Sequence, residues 1–205
     1  PLRRGLHLRQ GPADHRRAAR TLGEPDQRAQ LRRHERRRPD RRAAAAVVLH
    51  GSELSRWSQV ASAMLQLAQG SERFDDELWT AAQTNALTRS QGEAFAHAIE
   101  AGLDAVALQR PVAAQFRYRL AQLRKQHLKD SGGAIVDLRR ALELGGDRAS
   151  WLSELAALER DGGASKPLLD ALRRQSEAEP TNLNVLVEAA DVASQIGDRE
   201  QAVAI

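Results

Sequence analysis

Residues 134–202 read AIVDLRRALELGGDRASWLSELAALERDGGASKPLLDALRRQSEAEPTNLNVLVEAADVASQIGDREQA. Ala134, Leu168 and Ala202 fall 34 residues apart, as do Leu138 and Leu172, and Gly146 and Pro180. Small or aliphatic pairs recur nearly in step at Leu120-Ala121, Leu155-Ala156 and Ala189-Ala190. A period of this length on helical patterning predicts helical hairpins stacked in series, each burying its apolar face only against the next.

Within this stretch the breaks are legible. Ile135, Leu138 and Leu142 share one helical side, and Gly145-Gly146 ends it, with Asp147 placed to cap the next helix. Trp151, Leu152, Leu155 and Leu158 follow until Asp161-Gly162-Gly163. Ser165 and Pro167 are a start signal, since proline in a first turn lacks only an N–H that has no helical partner. Leu168, Leu169 and Leu172 form the inner face of that helix, and Glu179-Pro180 closes the unit. Leu186, Val187, Ala190 and Ala193 open another, and Gly197-Asp198 turns into a final helix.

Working toward the N-terminus, residues 112–128 place Phe116, Leu120 and Leu123 on one side, and residues 130–133 break the chain. Trp57, Val60, Ala61, Met64, Leu65 and Ala68 form another buried face, with Ser52 or Ser55 as its cap and Gly70 as its end. Residues 75–87 present Leu78, Ala82 and Ala86, and the acidic run Asp75-Asp76-Glu77 suits a helix start. Ser90 and Glu93 have the spacing of a capping box. The next helix carries Phe95, Ile99, Gly102, Leu103 and Val106 and stops before Arg110-Pro111.

Composition divides the chain. Residues 1–42 hold fourteen Arg, no Lys and five acidic residues, whereas residues 43–205 hold seventeen basic and twenty-two acidic ones. Residues 1–49 form an Arg-rich, low-complexity segment in which Arg, Ala, Pro and Gly fill 29 positions. So polar a segment cannot offset its ordering entropy by burial, and disorder is expected. Three readings stand for it: a solvated tail, an arm that binds nucleic-acid phosphates, or the product of GC-rich DNA read out of frame. From Gly51 onward helical patterning takes over, degenerate over residues 51–114 and regular over 115–205. The absence of cysteine excludes disulfides, thiolate catalysis and Cys-ligated zinc. No run approaches the roughly 20 apolar residues that cross a membrane. A cytoplasmic setting is the expectation, and the start at Pro1 reads as that of a fragment.

Over residues 115–205 the chain resembles the tetratricopeptide repeat family, a 34-residue helical pair with a bulky-then-small signature in its first helix. Leu155-Ala156, Leu172 and Pro180 match within one unit; Leu186, Ala190, Gly197 and Ala202 match in the next; Ala134, Leu138 and Ala141 match the second helix of the unit before. Leu120-Ala121 sits one residue early relative to Ala134, which implies a longer turn at residues 129–133. Another α-hairpin array with a coincidental period is the alternative. The resemblance implies an all-α superhelix, or solenoid, acting as a non-enzymatic scaffold whose first helices line a groove for a protein or peptide. Its outward groove positions would be Tyr118 and Gln122, then Ser153, Ala157 and Arg160, then Val187, Asp191 and Ser194.

No constellation for catalysis, cofactor or metal emerges. Gly132-Gly133 and Gly162-Gly163 lack the flanking residues of a phosphate loop. His97 and His127 have no second ligand at metal spacing. The expectation is therefore no enzyme, no cofactor, no metal, and nucleic acid only through the Arg-rich segment.

Overall fold

A computed structural model describes residues 40–163 and 165–198. Residues 1–39, on which the readings of the Arg-rich segment mostly fall, and 199–205, which hold the expected final helix, lie outside the described residues. The described chain is all α, without a strand: α1 Arg41–Glu53, α2 Trp57–Ser71, α3 Asp76–Thr88, α4 Gly92–Ala105, α5 Arg110–Leu123, α6 Ser131–Gly145, α7 Ala149–Arg160, α8 Lys166–Ala178 and α9 Leu183–Gln195. A π-helical turn, Arg124–Leu128, prolongs α5.

Each helix packs on its neighbour in sequence, and α1 also packs on α3 and α2 on α4, so the first two hairpins stack first helix on first and second on second. Two apolar clusters result. One joins Val48, Trp57, Leu65, Trp79, Phe95 and Ile99 to the Phe116 and Leu120 side of α5. The other starts from Ala114 and Ala121 on the same helix and runs through Leu138, Leu152, Leu169 and Leu172 to Ala193. Helix α5 is therefore the shared wall of both cores.

The repeat is written in the backbone as clearly as in the side chains. Within each described hairpin the turn from first to second helix carries one residue with positive φ: Ser55, Ser90, Lys129 and Gly163 at 56°, 56°, 54° and 85°. Gly197, at 80°, takes the corresponding place after α9. Three of these five are not glycine, so the turn signal is invisible to a search for Gly.

Several local expectations are corrected. Helix α1 begins at Arg41, inside the stretch assigned by composition to the Arg-rich segment; its Ala44 and Val48 are buried against α2 and α3, and tertiary packing overrides composition. Asp40 caps it by accepting from the Arg42 N–H at 2.9 Å. Ser52 and Ser55 do not cap α2: Ser52 is buried within α1, and Ser55 takes the left-handed turn. Likewise Ser90 is in that conformation, so no capping box forms with Glu93, and α4 starts behind Gln91 without a side-chain cap. Gly70 does not stop α2, which runs to Ser71 and ends on left-handed Glu72. Helix α4 ends at Ala105 because Val106 is extended, and Pro111 sits in the first turn of α5.

The longer turn expected near residues 129–133 is absent, because the extra length lies in helix. The π turn extends the first helix to Leu128, and Ser131, Gly132 and Gly133 already belong to α6. Asp130 accepts from the Gly133 N–H at 2.8 Å and so starts that helix. Asp147 does not cap α7, whose N-cap is Arg148, and instead pairs with Arg174 of α8. Ser165 does cap α8, accepting from the Leu168 N–H at 3.3 Å.

Candidate interaction face

The first helices of the hairpins, α1, α3, α5, α7 and α9, bury matching pairs four residues apart: Ala44 and Val48, Leu78 and Ala82, Phe116 and Leu120, Trp151 and Leu155, Val185 and Ala189. Two residues beyond each pair the side chains turn outward. This places Ala46, Thr80, Tyr118, Ser153 and Val187 in one set of equivalent positions, and His50, Thr84, Gln122, Ala157 and Asp191 in another. All ten are exposed or half-buried.

Contacts between successive first helices hold this face together. Arg41 of α1 donates to Asp75, just before α3, at 2.7 Å and to Glu77 of α3 at 2.6 Å. Arg119 of α5 pairs with Asp76 of α3. Tyr118 of α5 stacks on Trp151 of α7, with ring centroids 4.6 Å apart at 16°. Lys125, in the π turn, lies 3.9 Å from Glu154 of α7. Arg160 of α7 donates to Glu188 of α9 at 2.9 Å. The guanidinium groups of Arg41 and Arg160 are thereby held even more firmly protonated, first through their hydrogen bonds to Asp75 and Glu188. Burial, followed by the nearby Glu154 carboxylate, pushes the Tyr118 phenol above its ordinary value, so it stays protonated and accepts from the Gln122 amide at 2.8 Å.

The sequence-derived groove residues divide by role. Tyr118 and Gln122 are joined by that hydrogen bond, and Tyr118 belongs as much to the α5–α7 contact as to the surface. Arg160 is engaged by Glu188. Ser153, Val187, Asp191 and Ser194 are exposed, Val187 by 62%, and Ala157 is half-buried. Missed from sequence were the corresponding positions on α1 and α3. There the pairs Ala44/Val48 and Leu78/Ala82 were the available signal, but Arg41 and Arg42 placed α1 among the charge clusters.

Along α3 this face is nearly flat, and Asp76, Glu77, Thr80, Ala81, Thr84 and Asn85 line it. Thr80 donates its hydroxyl to the Asp76 carbonyl at 2.8 Å.

Behind the face, a charged cluster lies between the two cores. Asp137 of α6, fully buried, accepts from Arg117 of α5 at 3.0 Å and from Arg124 of the π turn at 2.6 Å. Arg124 also donates to Glu100 of α4 at 2.8 Å, and Arg117 to Asp104 at 3.2 Å. Burial pushes the Asp137 carboxyl above its ordinary value against the pull of Arg124 and Arg117. For Glu100, burial is outweighed by the Arg124 hydrogen bond and the charges of Arg124 and Arg117, and its carboxyl lies below the ordinary value. Among the described residues no group of three or more His, Asp or Glu side chains is placed to hold a metal.

His97 is exposed on α4, 3.9 Å from Glu100. No helix among the described residues is long and apolar enough to cross a membrane. Compared with known proteins, the chain matches no family model and no curated protein sequence.

Proposed function

We propose that the chain is a tetratricopeptide-like, non-enzymatic scaffold that binds a protein or peptide partner on the face formed by α1, α3, α5, α7 and α9. The observation that carries this reading is the set of outward positions repeated on all five helices, tied by ion pairs and a ring stack between successive members. A surface fixed by its own packing loses little conformational freedom when a partner binds. The helical repeat of about 34 residues and the left-handed residue at each hairpin turn support the family likeness.

The test places a photo-crosslinking amino acid at exposed Thr84 on this face or at exposed Arg140 on α6. The scaffold reading expects a discrete protein adduct from position 84 and none from 140. Equal labelling from both positions, or labelling from 140 alone, sinks it.

A further inference from the structure

The two apolar cores are separate clusters that meet at α5, which gives Val112, Phe116, Leu120 and Leu123 to the first and Ala114 and Ala121 to the second. What reaches from one side of that helix to the other is charge. Arg124 donates to Glu100 of α4, beside the first core, at 2.8 Å and to Asp137 of α6, beside the second, at 2.6 Å. Arg117 repeats the bridge, to Asp104 at 3.2 Å and to Asp137 at 3.0 Å. About two helical turns separate the two arginines, so both guanidinium groups leave the same side of the helix. Arg117, Arg124 and Asp137 are also the buried charged residues of the described chain, so its buried charge is gathered at the joint between the cores.

Such an arrangement links the cores because each guanidinium takes carboxylates from both sides. Charge-assisted hydrogen bonds are strongest where water is kept out, and α4 and α6 together keep it out. If either core opens, the arginines lose partners on that side and the cover that strengthened their bonds on the other. We propose that Arg117 and Arg124, held in place by the buried Asp137, form a latch that makes the two cores unfold as one, and that without it each core unfolds by itself. Helices α1 and α3 belong to the first core and α7 and α9 to the second, so the latch decides whether the first-helix face behaves as one surface or two.

The three tryptophans of the chain report on both sides, Trp57 and Trp79 in the first core and Trp151 in the second. The experiment labels the whole chain with fluorotryptophan and follows each fluorine resonance through urea unfolding at neutral pH. In the parent all three should share one midpoint. Leu169→Ala, a change inside the second core and away from the latch, should lower that midpoint for all three together. Arg124→Met keeps the aliphatic stem and removes both bridging bonds. In that variant the Trp151 midpoint should part from the Trp57 and Trp79 pair by about 0.5 M urea or more, and adding Leu169→Ala should move Trp151 alone. Should Arg124→Met fail to fold, Glu100→Gln removes only the first-core partner, at a side chain 32% exposed, and should give a smaller separation of the same kind. A parent whose Trp151 midpoint already stands apart overturns the proposal. So does a midpoint that all three tryptophans still share in Arg124→Met, or in Glu100→Gln if that variant is the one read, however far it has fallen.

Discussion

Replacing Asp137 with alanine should be the most damaging single change in the charged cluster. The carboxylate is fully buried and serves two guanidinium groups, Arg117 and Arg124, whose side chains are only 5% and 9% exposed. Removing it leaves both cations with partners that are more exposed: Glu100 at 32%, Asp130 at 49% and Asp104 at 67%. Breaking a buried pair from one side costs about 3–5 kcal/mol, because the remaining charge stays desolvated. For a chain of this size each kcal/mol lowers Tm by roughly 2–4 °C, so a fall of about 6–20 °C is expected. Asp137→Asn keeps the shape and one acceptor but turns an N–H₂ toward a guanidinium, and should cost about 2–3 kcal/mol.

The cluster need not be a net source of stability for this to hold. Burial raises the Asp137 carboxyl, so the folded chain holds that proton more tightly than the unfolded one, and ionising it works against the fold as pH rises through the raised value. As a comparison, Arg174→Ala removes a half-exposed pair with Asp147 and should cost at most about 1 kcal/mol. Urea unfolding at neutral pH, followed by circular dichroism, reads all three variants. An Asp137→Ala protein within about 1 kcal/mol of the parent would show that the cluster is solvated, and would refute the reasoning.

Other changes should move stability in stated directions. The Ser52 hydroxyl is fully buried without a hydrogen-bond partner among the described residues, so Ser52→Ala should raise stability by about 1 kcal/mol in urea unfolding. Lys129 has φ of 54° at the α5–α6 turn, where a side chain costs about 1 kcal/mol relative to glycine; Lys129→Gly should raise Tm, and a lower Tm would argue against that turn. The Asp75 carboxyl lies below its ordinary value, first through the Arg41 hydrogen bond, so its contribution is present above the unfolded pKa and lost as pH falls through the folded one. Asp75→Asn should therefore flatten the loss of stability on acidification below about pH 4, and an unchanged acid limb would count against the pairing.

What could be read from sequence was whatever one residue type announces. Helices α7 and α8 emerged because Leu and Ala recur on one side and because Ser165 with Pro167 and the Gly162-Gly163 pair mark their ends. Helix α1 stayed hidden because its apolar side is only Ala44, Val48 and Gly51, and Gly51 acts by letting α2 approach: a Cβ there would meet Val60 at 2.9 Å. The hairpin turns were missed where Ser55, Ser90 and Lys129 stand in for glycine, since nothing in those side chains signals left-handed backbone. Groove positions on α5, α7 and α9 followed from the repeat. Their counterparts on α3 required the fold, because Gln83 stands where Ala121, Ala156 and Ala190 fix the register in the other helices. The charged cluster could not be inferred either, as Glu100, Arg117, Arg124 and Asp137 come from α4, α5, the π turn and α6.

The central claim is that successive first helices lie side by side and form one face, and Tyr118 gives direct access to it because it is the only tyrosine in the chain. A nuclear Overhauser spectrum of protein protonated only at Tyr and Trp in a deuterated background isolates its contacts. Stacking of Tyr118 on Trp151 with centroids 4.6 Å apart predicts cross-peaks from the tyrosine ring to one indole, that of Trp151. Cross-peaks to Trp57 or Trp79 instead, or none to any indole, would mean that α5 and α7 are not neighbours and would contradict the account.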